Sequence, residues 1–94
     1  RMEFEPSFKY LRSLLSSSVG EEEAAKIIRE SIYSSGLVPK ETNYEIVEFM
    51  KICEQLMNKG GRTRIVGLTG ITQARCHRTL HGLVGPAGYA TKLV

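Results

Sequence analysis

The sequence is short of several things, and each shortage removes a class of function. It has only two cysteines, Cys53 and Cys76, and neither sits in a CxxC pair. A thiol redox pair or a cysteine-built zinc site is therefore not expected, and both cysteines read as small buried apolar residues. No apolar run is long enough to span a bilayer, and the chain does not open on a charged-then-apolar signal. The expectation is a soluble, cytoplasmic protein with no membrane partner. The run Ile65-Val66-Gly67-Leu68-Thr69-Gly70 has the glycines of a phosphate-binding loop, but Ile71-Thr72-Gln73 follows where Gly-Lys-Ser/Thr would be needed. No Ser/His/Asp arrangement or cofactor motif is recognisable in the 94 residues, so neither an enzyme nor a cofactor is expected.

Acid is the other shortage, and it is local. Residues 51–94 hold Glu54 alone against seven lysines and arginines, a net +6, whereas residues 1–50 hold nine glutamates against six basic residues, a net −3. Charge divided this way points to an anionic partner for the second half.

What is present is mostly helical patterning. Pro6 suits a first helical turn, and Phe8, Leu11 and Leu15 recur at helical spacing after it. The Ser16–Ser18 run is expected to end this helix, with Ser18 and Glu21 forming a capping box for the next. In that second helix Ala24, Ile27, Ile28, Ser31 and Ile32 share a face, and Glu21, Glu22 and Glu23 occupy the first turn, where the helix dipole favours carboxylates. Gly36 is placed to close it in the left-handed conformation, with Leu37 folding back. Thr42 and Glu45 suggest another box, opening a helix over Tyr44–Lys59. Ile46, Phe49, Met50, Ile52, Cys53, Leu56 and Met57 form its apolar arc.

Beyond Gly60-Gly61 the pattern predicts a short helix over Arg64–Leu68 capped by Thr63, a turn at Thr69-Gly70-Ile71, and a second helix from Gln73 to about Leu83 with Thr72 as its cap. Ile65, Leu68, Ile71, Cys76, Leu80 and Leu83 are expected to face inward. Ala74, Arg75, His77, Arg78 and His81 are expected to face outward, with no acid among them. His77 and His81, four apart, have the spacing of a metal pair, but Cys76 falls on the other side of the wheel and no third exposed ligand is near, so no metal site is expected.

In order and spacing, Thr69-Gly70-Ile71-Thr72, Leu80-His81-Gly82-Leu83 and Gly88-Tyr89 resemble the turn, recognition-helix end and wing entry of the winged helix-turn-helix domain of bacterial and archaeal transcriptional repressors. The resemblance covers residues 52–93. It implies a mainly α chain with a winged helix-turn-helix core over residues 41–94, preceded by two N-terminal helices over residues 1–40; the apolar faces of those helices exceed what residues 44–83 are expected to cover, which points to a homodimer interface there. The wing is short or incomplete, since residues 89–94 supply one strand. The function implied is double-stranded DNA binding for transcription regulation, with the helix at about 72–83 in the major groove. Gln73, Arg75 and Arg78, with Thr72, His77 and His81, would face bases or phosphates, and Arg62, Arg64 and Lys92 would neutralise backbone. The alternative is a helical protein-interaction module of winged-helix type that binds no DNA.

Overall fold

The computed structural model describes residues 3–84, with side chains to residue 78, and it is mainly α. Four helices follow one another: α1 (Phe8–Val19), α2 (Glu21–Ser34), α3 (Ile46–Asn58) and α4 (Gly61–Val84). In the described residues α1 packs on α2, α2 on α3, α3 on α4 and α4 back on α1, a closed ring around one core. Leu11 and Leu15 of α1, Ile28 and Ile32 of α2 and Phe49, Ile52, Cys53 and Leu56 of α3 are fully buried there. At about 1.5–3 kcal/mol for each large apolar side chain removed from water, this row supplies most of the driving force. The N-terminal helices thus have their apolar faces covered within the chain, by the same core that α3 and α4 share.

Local chemistry sets most of the boundaries. Ser7 caps α1, its hydroxyl accepting from the Tyr10 N–H at 3.1 Å, so Pro6 precedes the helix and is not in its first turn. The backbone before α1 is tied down by the Tyr44 N–H, which donates to the Pro6 carbonyl at 2.7 Å. The serine run continues α1 instead of ending it. Ser16 and Ser17 donate back to the carbonyls of Ser13 and Leu14 at 3.2 and 3.3 Å, a bond that lets serine remain inside a helix. Gly20 makes the break at φ +91, and no side chain caps α2, so the expected Ser18–Glu21 box does not form. The end of α2 is as expected: Gly36 at φ +82, its N–H bonded to the Tyr33 carbonyl, and the Leu37 N–H bonded to that of Ile32 at 3.1 Å. The box before α3 is shifted from Thr42/Glu45 to Glu45/Glu48, with the Glu45 N–H donating to the Glu48 carboxylate at 3.3 Å. Every residue of the expected α3 arc is buried or half-buried.

The largest correction concerns α4. The expected short helix, turn and second helix are one uninterrupted 24-residue helix, and Thr69-Gly70-Ile71 is an ordinary helical turn of it. Gly70 is not there to permit a left-handed backbone. A Cβ built on it would sit 2.6 Å from the Cys53 Sγ, and one on Gly67 would sit 2.5 Å from the Cys53 carbonyl oxygen. The two glycines form a notch that admits α3. Helix interiors disfavour glycine by about 1 kcal/mol relative to alanine, and here close packing offsets that cost. Thr63, expected as a cap, is inside the helix and buried.

Candidate nucleic-acid interface

With the helix continuous, its inward face is set by the notch. Thr63, Val66, Gly67, Gly70, Ile71 and Ala74 are buried, spaced three and four apart along α4. Several expected orientations invert as a result. Ala74 is fully buried, while Cys76 is exposed, and Ile65 and Leu68 remain 61% and 41% exposed. Ile71 is inward as expected. The inversion has a simple cause: a wheel anchored on Cys76 as an apolar residue turns the helix away from the face marked by Gly67 and Gly70. Cys53 is buried as expected, and desolvation, reinforced by the nearby Glu54 carboxylate, pushes its thiol from 9.0 up to about 12.

The arginines are exposed, but not all on one side. At about 100° per residue, Arg64, Arg75 and Arg78 fall within about 60° of one another, whereas Arg62 is about 160° from Arg64. Arg62 instead borders a groove with Leu14 and Ser18 of α1. Gln73 also faces α1, lining a cleft with Glu3, Phe4, Tyr10, Ser13 and Thr69. It is therefore separated from Arg75 and Arg78, contrary to expectation. Thr72 is exposed in mid-helix and caps nothing. His77, expected outward, is half-buried with its ring 5.5 Å from that of Phe4. Phe4 also stands edge-on to Tyr10 and Phe49, at 5.1 and 5.6 Å. His77 thus belongs to an aromatic cluster that pins the N-terminal segment to α4. The expected roles of His81, Leu80 and Leu83 concern side chains outside those described, and Lys92 and the wing at 89–94 lie outside the described residues.

Arg64, Arg75 and Arg78 are exposed along one edge of α4, the edge that also carries buried Ile71, on a helix with no carboxylate along its length. Gly67 touches Cys53 and Met57, and Gly70 touches Cys53 and Phe49, so the two helices run in opposite directions. At about 1.5 Å per residue α4 is about 36 Å long and α3 about 20 Å. The start of α3 at Ile46 therefore comes level with about Arg75, and Arg78 stands where α4 runs past it. No family model, characterised protein or solved structure matches the chain.

Proposed function

We propose that the chain binds duplex DNA through the Arg64–Arg75–Arg78 face of α4 and acts as a transcriptional regulator. The observation that carries this reading is the acid-free α4 with exposed Arg64, Arg75 and Arg78 along one edge, the last of them past the start of α3. A bare helix is about 10–12 Å across, and the major groove at about 12 Å accepts it. Arginine pairs in fork geometry with guanine edges and with phosphates, which lysine does not match. The reading rests on one long helix in place of a turn between two, and Arg62 and His77 have no part in it. The protein-interaction alternative draws on a separate observation, the exposure of Ile65 and Leu68 on the same helix.

Salt decides between them. If the three arginines each neutralise a phosphate, log K against log salt has a slope of about −2.7, and affinity falls about 40-fold between about 50 and 200 mM salt. Fluorescence anisotropy on a labelled duplex measures this. Replacing Arg64, Arg75 and Arg78 together by alanine is expected to abolish both the binding and its salt slope. A chain that binds no duplex at low salt, or a triple variant that binds as the wild type does, refutes the proposal.

A further inference from the structure

We propose that the depression between the start of α1 and the loop before α3 is a binding site for a small molecule carrying a phosphate group. It has a volume of about 340 Å³ and is lined by Phe8, Lys9 and Arg12 of α1 and by Lys40 and Glu41 of the loop, a size within the range of small-ligand sites. Hydrogen bonds hold the loop against α1. The Tyr44 N–H donates to the Pro6 carbonyl at 2.7 Å and the Tyr44 hydroxyl to the Val38 carbonyl at 2.6 Å, so the chain is tied on both sides of Lys40. Two of the three cations rest on aromatic rings. The Lys40 Nζ lies 4.8 Å from the centre of the buried Tyr44 ring, and the Arg12 guanidinium lies 5.6 Å from that of Phe8.

Charge identifies the ligand. Three cations converge on this depression, and Glu41 is the one carboxylate in its lining. Among the described residues none of the three forms an ion pair; the ion pair found there joins Lys59 to Glu30, at 3.5 Å. Residues 1–50 hold nine glutamates against six basic residues, so half of that segment's cations meet in one place without a carboxylate partner. Arg12 is half-buried, yet its guanidinium donors have no acceptor among the described residues. Lys9 does not serve its helix either. It stands in the first turn of α1, where the dipole disfavours a cation and where α2 places Glu21, Glu22 and Glu23. Lysine and arginine donors gathered in this way are complementary to a phosphate dianion, which accepts from several of them at once. The acidic surroundings select a small ligand over a duplex. A row of phosphates would meet the glutamates of residues 1–50, whereas a single phosphate group meets the depression alone. None of the lining residues is on α4, and Tyr10, Ser13 and Leu14 of α1 line the clefts toward α4 instead. The proposal therefore does not rest on the DNA reading.

Isothermal titration calorimetry of the full chain with inorganic phosphate, ribose 5-phosphate and adenosine monophosphate tests the proposal, with adenosine as the phosphate-free control. The phosphate compounds are expected to bind and adenosine not to. Equal affinities for the three assign the site to the phosphate group itself, and tighter esters assign it to a phosphorylated organic molecule. Lys9→Gln with Lys40→Gln, both at exposed positions, is expected to weaken binding at least about tenfold. Glu41→Gln removes the opposing carboxylate and is expected to tighten binding about two- to fivefold, a gain that loss of folding cannot imitate. Circular dichroism checks that each variant is folded. Anisotropy on a labelled duplex is expected to be unchanged in the double lysine variant, so failure of one proposal is not failure of the other. The proposal is overturned by a chain that binds none of the three phosphate compounds up to about 10 mM, by adenosine binding as tightly as adenosine monophosphate, or by Glu41→Gln binding no more tightly than the wild type. A double lysine variant that keeps its phosphate affinity, or that loses phosphate and duplex affinity together, overturns it also.

Discussion

The notch on α4 makes a quantitative claim that a pair of alanine substitutions tests. In an unobstructed helix, glycine to alanine stabilises by about 1 kcal/mol. At Gly70 the new methyl would meet the Cys53 Sγ at 2.6 Å, with the Leu11 Cδ2 at 3.3 Å and the Phe49 Cε2 at 3.5 Å. Overpacking of this kind costs about 1–3 kcal/mol, so the net effect at Gly70 is expected to run from about neutral to about 2 kcal/mol destabilising. At Gly67 the obstacles are backbone atoms, the Cys53 oxygen at 2.5 Å and the Met57 nitrogen at 3.0 Å, with the Met57 Cγ at 2.8 Å. No rotamer change relieves the backbone contacts; α3 and α4 must separate. A gap of about 0.5–1 Å forfeits a quarter to a half of each dispersion contact along the seam. Gly67→Ala is therefore expected at the upper end, about 2 kcal/mol net or more.

The decisive measurement adds Cys53→Ala to each variant. Removing the sulfur clears the nearest obstacle at Gly70, so Gly70→Ala should become neutral or stabilising by up to about 1 kcal/mol in that background. It leaves the Cys53 carbonyl in place, so Gly67→Ala should stay costly. The resulting coupling energies, about 1–3 kcal/mol for residue 70 and near zero for residue 67, are read from urea unfolding at constant m value. If Gly67→Ala stabilises the chain, or if both glycine variants are rescued alike, the notch is not what these residues form. If Gly70→Ala is damaging but Cys53→Ala does not relieve it, the obstacle is the Leu11 and Phe49 side chains and not the sulfur.

Two further outcomes follow from the core. The Ser31 hydroxyl is fully buried and has no hydrogen-bond partner among the described residues; Ser31→Ala removes an orphaned polar group from a helix and is expected to raise stability by about 1 kcal/mol or more in the same urea assay, whereas a loss would show that the hydroxyl is satisfied in solution. The Cys53 thiol titrates at about 12 in the folded chain against 9.0 otherwise, so the neutral form is the one the fold favours. Its contribution is complete below about pH 9 and drains away as pH rises toward 12, with a slope approaching 1.4 kcal/mol per pH unit. Subtracting the same curve for Cys53→Ala isolates that loss, and parallel curves for the two proteins would contradict it.

The parts of the fold that the sequence makes legible are those where one cue is strong and local. The α2 face from Ala24 to Ile32, its Gly36–Leu37 closure and the α3 arc from Ile46 to Met57 all stand where periodicity and capping put them. The misplaced features are those where two physical roles share a residue type. Serine both caps helices and bonds back within them, and at Ser16–Ser18 the second role holds. Glycine both permits turns and permits close approach, and at Gly67 and Gly70 the second role holds because Cys53 and Met57 are there to fill the space. That partner is set by tertiary packing, and nothing within residues 61–84 reveals it.

One misassigned glycine then propagates into the candidate site. A turn at Gly70 uncouples the phase of the two halves of residues 61–84, so each half can be rotated to bury its own apolar residues, Ile65 and Leu68 in one and Cys76 in the other. A continuous helix has a single phase. Once Gly67 and Gly70 face α3, Ala74 must be inside and Ile65, Leu68 and Cys76 must be outside. The same constraint sorts the cations. Arg64, Arg75 and Arg78 are brought together by the unbroken 3.6-residue repeat, while Arg62 and Gln73 are carried round to the α1 side. The reading of α4 as a basic helix for DNA descends from that phase. Restoring a break at residues 69–71, for instance with Gly70→Pro, should therefore weaken duplex binding, as the triple arginine replacement does.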